Sequence, residues 1–114
     1  MAVKNSVFAV PLHSLASTGF SAAYAIINTG GLTQPCWMIC LTNNSDEDAT
    51  ISYDGTNDHE FIPKGTSREF YAQASSQPNN FIANFPKGLV VYAKGSAGMA
   101  GSIYLSGYYQ PSAG

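Results

Sequence analysis

Residues 36–42 read Cys-Trp-Met-Ile-Cys-Leu-Thr, a segment that is apolar on both faces of an extended chain. Such a segment is typical of a central strand, and we expect Trp37 in the core. Cys36 and Cys40 would share one face of this strand. At about 3.3 Å per residue, their Cα atoms would lie about 13 Å apart, beyond the roughly 7 Å that a disulfide spans. We therefore expect two buried, reduced core cysteines.

Short segments with a hydrophobic period of two surround this strand on both sides. Pro11 cannot donate a ladder hydrogen bond, so the first strand should lie at a sheet edge or end there. The segment 20–28 (FSAAYAIIN) is compatible with a short helix or a strand, and we favour a strand. The eight segments predicted as strands are residues 6–12, 20–28, 36–42, 49–54, 59–62, 66–71, 89–94 and 102–109.

Turn signals separate these segments at intervals typical of all-β domains. Asp54-Gly55 is a strong one, because tight hairpin turns need a residue that accepts positive φ. The remaining turns are expected at 43–48, 63–65 and 95–98, with a long polar loop at 72–80. The pattern predicts an all-β fold: a compact eight-stranded antiparallel β-sandwich, jelly-roll-like, with residues 1–114 as one domain. Residues 1–12 would form an extended N-terminal arm or an edge strand.

The composition excludes several classes of function. Charged residues make up 11 % of the 114 residues, against about 25 % in ordinary domains. The five Lys and Arg residues are scattered, whereas nucleic-acid binding relies on clustered positive charge, so we expect no direct nucleic-acid contact. No apolar run approaches the roughly 20 residues of a membrane helix. The first residues lack a signal peptide's apolar stretch, so synthesis in the cytoplasm is expected.

Catalytic and metal-binding patterns are equally weak. No Gly-x-Ser-x-Gly motif occurs, and no second pair of Cys or His residues follows Cys36 and Cys40 at ligand spacing. We therefore expect no enzyme activity, no cofactor and no metal. An acidic concentration is open to two interpretations: a calcium site, or solvated turns in which Asp bonds its own backbone, which we favour. Its members are Asp46, Glu47, Asp48, Asp54 and Asp58.

The aromatic residues indicate binding. Seven Tyr, six Phe and one Trp make up 12 % of the chain, and Tyr104, Tyr108 and Tyr109 crowd the last predicted strand. Tyr and Trp are enriched at protein interfaces because they combine apolar area with one polar atom. We predict that these three tyrosines form a subunit interface. The alternatives are core packing or a platform on which a sugar stacks.

Residues 39–109 resemble a group of small structural proteins encoded among the virion genes of tailed bacteriophages. The resemblance lies in a Ser-x-Asp-Gly hairpin that follows an asparagine and a strand, in a Pro-x-Gly turn, and in a C-terminal Gly-x-Ile-Tyr strand. The residues that carry it are 39–43 (ICLTN), 49–58 (ATISYDGTND), 62–66 (IPKGT), 88–92 (GLVVY) and 101–109 (GSIYLSGYY).

This resemblance implies a virion protein repeated by symmetry. The function it favours is capsid decoration: a cement protein that binds the major capsid protein of the assembled head shell and forms a homo-oligomer, such as a trimer or a ring. A head–tail connector or tail-ring protein is the alternative within the same class. From another class, a carbohydrate- or receptor-binding module on the virion surface is the third hypothesis.

Overall fold

The part of the chain that the structure describes forms two antiparallel sheets with almost no helix, which confirms the all-β prediction. The computed structural model describes residues 8–71 and 85–109. One 3-10 turn, Ser17–Gly19, is the helical element of this part of the chain. The nine strands are β1 Phe8–Ala9, β2 His13–Ala16, β3 Ala25–Ile26, β4 Met38–Ser45, β5 Ala49–Ser52, β6 Glu60–Ile62, β7 Thr66–Tyr71, β8 Tyr92–Lys94 and β9 Gly101–Tyr109.

The five-stranded sheet is built around the two longest strands, β4 and β9. Its order is β1-β9-β4-β7, and β2 also pairs with β9. The segment predicted as central is therefore central: β4 pairs with β9 on one side and with β7 on the other. Both β4 and β9 alternate between buried and half-buried residues, because one face of this sheet covers the core.

The four-stranded sheet has the order β3-β8-β5-β6 and supplies the other half of the core. Its inward residues pack against those of the five-stranded sheet in one hydrophobic cluster, as in a β-sandwich. The fully buried members of this cluster are Cys36, Ile39, Leu41, Ala49, Ile51, Ile62, Val91, Ala93, Ile103 and Leu105.

The described residues already form nine strands, so the prediction of eight is wrong. The missed strand is β2, which follows Pro11 and pairs with β9 as β1 does. Pro11 interrupts the ladder of hydrogen bonds to β9, because it has no N–H to donate. The chain pairs with β9 again two residues later, at His13. The edge position expected for the Pro11 segment is confirmed for residues 8–12, since β1 and β2 pair with β9 alone.

Two predicted strands are much shorter than expected, and an asparagine side chain supplies part of the hydrogen bonding where their ladder ends. Residues 20–28 contain only β3, and residues 89–94 contain only β8. Between them, the buried Asn28 amide donates to Leu89 O at 3.0 Å and accepts from Val91 N at 2.7 Å. The two segments are thus held side by side by this side chain together with single backbone bonds, from Ile27 N to Val91 O at 2.9 Å and from Leu32 N to Leu89 O at 3.0 Å.

The polar turn predicted at residues 43–48 is also shorter than expected. Strand β4 continues through Asn43 and Asn44 to Ser45, and Asn43 is fully buried. Its amide nitrogen donates to Glu47 O and to Ile62 O, both at 2.9 Å, and its oxygen accepts from Ser45 Oγ at 2.6 Å. A buried polar side chain is tolerated there because all its hydrogen-bonding groups are used.

The segment before β4 corrects two further predictions. Cys36 and Cys40 are both free thiols, as expected, but they do not share a face: Cys36 is in the core and Cys40 is half-buried. The chain bends at Trp37, so the alternation is broken between Cys36 and Met38. Trp37 is half-buried instead of in the core, and its ring lies 6.2 Å from that of Tyr71.

Four predicted elements, two strands and two turns, agree closely with the structure. Strand β7 has the predicted bounds, and β9 begins one residue before the predicted start. Gly55 and Gly65 have φ of 79° and 75°, in the turns where the sequence placed them. The predicted loop at 72–80 and the start of the 6–12 strand lie outside the described residues.

Candidate functional site

The outer face of the five-stranded sheet carries a group of large side chains that we call the tyrosine face. It consists of Trp37, Met38, Tyr71, Tyr104 and Tyr108. Met38 lies directly between Tyr108 of β9 and Tyr71 of β7. Directly paired residues project on the same side of a sheet, so these three form one row. Tyr104 lies on the same side, four residues from Tyr108 along β9.

The tyrosine face is nearly free of charge. The register places Glu69 on it beside Cys40 and Ser106, and Glu69 is the one charged residue at the register positions of this face. Tyr71 is 51 % exposed and donates its hydroxyl hydrogen to Glu69 Oε1 at 2.9 Å. This bond raises the pKa of Tyr71, since ionisation would place a negative oxygen against the carboxylate. The face therefore combines apolar area with few groups that are costly to desolvate.

Tyr109 departs from the predicted interface. Strand alternation turns it to the opposite side from Tyr108, where it packs against the core. Its ring centroid lies 5.9 Å from that of Phe8, its partner in β1. Of the three predicted interface tyrosines, two share an outward face, and the third is a structural contact at the sheet edge.

Sequence analysis missed three members of the tyrosine face. Trp37 and Met38 were assigned to the interior of a strand that is apolar on both sides, and Tyr71 ends a separate segment. The strand order and the register bring them beside Tyr108. A single sequence specifies neither, although the aromatic content of 66–71 was visible.

The outer face of the four-stranded sheet has a different chemistry. Lys94 Nζ lies 3.0 Å from Asp58 Oδ1 and 4.7 Å from the centroid of the Tyr24 ring. The Tyr24 hydroxyl also donates to Asp58, and burial together with this carboxylate raises the pKa of Tyr24 to about 12. The two hydrogen bonds, from Tyr24 first and then from Lys94, lower the pKa of Asp58. Tyr92 packs edge-on against Tyr24, at 6.4 Å between centroids.

Two aspartates of the acidic concentration, Asp46 and Asp48, bond loops that are distant in the sequence, which differs from the local backbone bonds that the interpretation as turns predicts. Asp46 accepts from Ser17 Oγ at 2.9 Å and from Met99 N at 2.8 Å, which ties two loops together. Asp48 accepts from Lys64 N at 2.9 Å. Within residues 8–71 and 85–109, no three His, Cys, Asp or Glu side chains are grouped closely enough to hold a metal ion.

Asp54 organises the loop between β5 and β6. Its carboxylate accepts from the backbone N–H groups of Asn57 and Thr56, both at 2.8 Å, from the Asn57 side chain at 2.8 Å and from Ser52 Oγ at 2.9 Å. Hydrogen bonds to the charged form favour it, so they hold the pKa of Asp54 well below its usual value.

We expect the contribution of Asp54 to stability to depend on pH. A carboxyl with a depressed folded-state pKa stabilises the protein above its unfolded pKa of about 3.9, and this stabilisation is lost as the pH falls through the folded value. Asp54→Asn should therefore have a lower free energy of unfolding than the wild type at pH 7, and this difference should narrow below about pH 4. Urea unfolding of both proteins from pH 7 to pH 2.5 measures the difference. Thr56→Ala, which keeps the backbone N–H, should show a small gap independent of pH, and a constant gap for Asp54→Asn would contradict the assignment.

Comparisons with known proteins identify no relative, so the function is inferred from the chemistry of the two outer faces of the sandwich. No protein-family model, curated protein or solved structure matches the chain. In the part of the chain that the structure describes, no helix is long and apolar enough to cross a membrane.

Proposed function

We propose that this protein is a structural component of a tailed-bacteriophage virion, a capsid decoration or cement protein that docks on the head shell through the tyrosine face. Its partner would be the major capsid protein or another virion protein, and it would act as a homo-oligomer, a trimer or a ring. The proposal assigns binding and not catalysis. We also propose that the two sheets have the jelly-roll-like arrangement expected from the sequence.

The observation that carries the proposal is the composition of the tyrosine face. Interface cores are enriched in Tyr, Trp and Met and depleted of Lys, Glu and Asp. The tyrosine face has three Tyr, one Trp and one Met, with Glu69 as its charged neighbour. It is formed by the three strands β9, β4 and β7, so it is a rigid surface that needs little ordering when it binds.

The resemblance to phage virion proteins adds the identity of the partner. A cement protein stabilises a shell because it binds the assembled lattice and not the free subunit, which shifts the assembly equilibrium by mass action. A weakly charged docking face on paired strands suits repeated binding to such a lattice. A head–tail connector or tail-ring protein would use the same face against a different ring of subunits.

A binding experiment on particles tests the proposal. Particles that lack the protein are mixed with purified wild type or with Tyr108→Ala, and the bound copies are counted by quantitative mass spectrometry. Aromatic anchors at an interface centre cost about 2 kcal/mol or more when truncated, so we expect roughly 30-fold weaker binding. The thermal unfolding midpoint should change little, because the Tyr108 ring lies on the outer face.

The matched control is Ser106→Ala, on the same face of β9, which should bind like the wild type. A copy number that matches the shell lattice supports decoration, and a copy number of one ring per particle supports the connector. Equal binding of Tyr108→Ala and wild type, or absence of the protein from particles, would overturn the proposal.

A further inference from the structure

A groove crosses the outer face of the four-stranded sheet, on the opposite side of the sandwich from the tyrosine face. It consists of two adjoining depressions of about 650 and 400 Å³ that share Thr50, within the roughly 300–1,000 Å³ of ligand sites. Thr50 is paired with Lys94 of β8 on one side and with Phe61 of β6 on the other. These three side chains therefore form a row across the floor of the groove.

Phe61 is the exposed aromatic ring of this row. It is 51 % exposed, although it lies in the middle of a strand. At the other end of the row, the Tyr24 ring lies against Lys94. Two aromatic rings thus stand at opposite ends of a polar floor.

The charged groups of the groove are paired and held in place. Lys94 Nζ lies 3.0 Å from Asp58 Oδ1 on the outer face. Arg68 Nη1 lies 3.6 Å from Glu60 Oε1 at the end of the groove, around the edge where β6 meets β7, because the register pairs these two residues with buried ones. The Arg68 guanidinium also lies 5.2 Å from the centroid of the Phe70 ring. Two positive and two negative side chains leave the groove without net charge, so it favours a neutral ligand over an anionic one.

A neutral saccharide matches these features. A sugar ring presents a face of C–H bonds, which is attracted to the negative face of an aromatic ring. Its rim of hydroxyls both donates and accepts, and the groove offers carboxylate acceptors beside ammonium and guanidinium donors. A protein partner fits less well, because four charged side chains are distributed along the groove and interface cores are depleted of charge.

We propose that this groove binds a neutral oligosaccharide, with Phe61 as the ring on which a sugar unit stacks and with Asp58, Glu60, Arg68 and Lys94 as hydrogen-bonding partners of its hydroxyls. The site does not depend on the proposed docking function. The two functions are compatible, because docking through the tyrosine face leaves the opposite face of the sandwich directed away from the partner.

An array of neutral and acidic oligosaccharides tests this site. We expect the wild type to bind at least one neutral oligosaccharide and no acidic one preferentially. An aromatic contact is worth up to about 1.5 kcal/mol, so Phe61→Ala should reduce the binding about tenfold. Phe61→Leu, which keeps an apolar side chain in the strand, should lose a similar factor because the flat ring is gone.

Tyr71→Ala is the matched control, since Tyr71 has the same 51 % exposure on the opposite sheet. It should keep saccharide binding and lose particle binding, whereas the Phe61 variants should do the reverse. The two proposals therefore fail separately. Binding of acidic oligosaccharides alone, binding of none, or undiminished binding by both Phe61 variants would overturn the saccharide site.

Discussion

Replacing Asn43 with leucine is expected to lower the free energy of unfolding by about 2 kcal/mol, which is the scale of one buried acceptor left without its side-chain donor. Asn43 lies on the inner face of β4, and its amide donates to Ile62 O of β6 in the other sheet. It also donates to Glu47 O, which closes the turn before β5. Leucine has a similar size but no donor, so the buried Ile62 carbonyl would lose this bond, whereas Glu47 O keeps the bond from Ser45 Oγ at 3.0 Å.

Chemical unfolding of wild type and Asn43→Leu measures this loss. Asn44→Ala is the matched control, because Asn44 is the next residue of the same strand but is exposed, and we expect less than about 0.5 kcal/mol there. If Asn43→Leu were as stable as the wild type, the core would tolerate an apolar residue at this position. The amide would then not be what joins the two sheets.

The segments that the sequence predicted best are those whose hydrophobic pattern alone decides their conformation. Strand β9 alternates Ile103 and Leu105 with Tyr104 and Ser106, and the structure buries the first pair and half-buries the second. Strand β4 has apolar residues on both faces and lies between two neighbours. In these strands local pattern and tertiary packing agree, as expected for a foldable sequence.

The secondary-structure predictions fail where asparagine side chains form hydrogen bonds between segments that strand pairing would otherwise join. Asn28 hydrogen-bonds to residues 89 and 91, which are more than 60 positions away in the sequence. Asn43 looked like a turn residue because asparagine is common in turns, yet its bonds are satisfied inside the core. Neither arrangement leaves a local signal, because the distant partners, at residues 62, 89 and 91, are backbone groups that every residue possesses.

The candidate sites were predictable to different degrees. The outward direction of Tyr104 and Tyr108 follows from the period of β9, so it could be predicted before the fold was known. That Trp37, Met38 and Tyr71 lie beside these tyrosines could not be predicted, since it depends on strand order. The saccharide groove was not predictable either, because Phe61, Thr50 and Lys94 come from three strands.

Two neighbouring glycines allow the cost of backbone conformation to be separated from the cost of close packing. Gly30 and Gly31 have φ of 87° and 83°, a region that side chains with a Cβ rarely adopt. A Cβ on Gly30 would meet nothing within 4 Å, whereas a Cβ on Gly31 would lie 2.3 Å from the carbonyl oxygen of Gly88. The chain is held at this approach by the bond from Gly88 N to Leu32 O, at 2.7 Å.

Gly30→Ala should therefore lower the free energy of unfolding by about 1–2 kcal/mol, the cost of the left-handed conformation for one residue. Gly31→Ala adds the cost of overpacking, about 1–3 kcal/mol, so its total should reach about 4 kcal/mol. Urea unfolding of the two variants at one pH gives the difference directly. Equal losses would mean that the loops at residues 31 and 88 separate freely, and the contact between them would then contribute nothing to holding the sheets together.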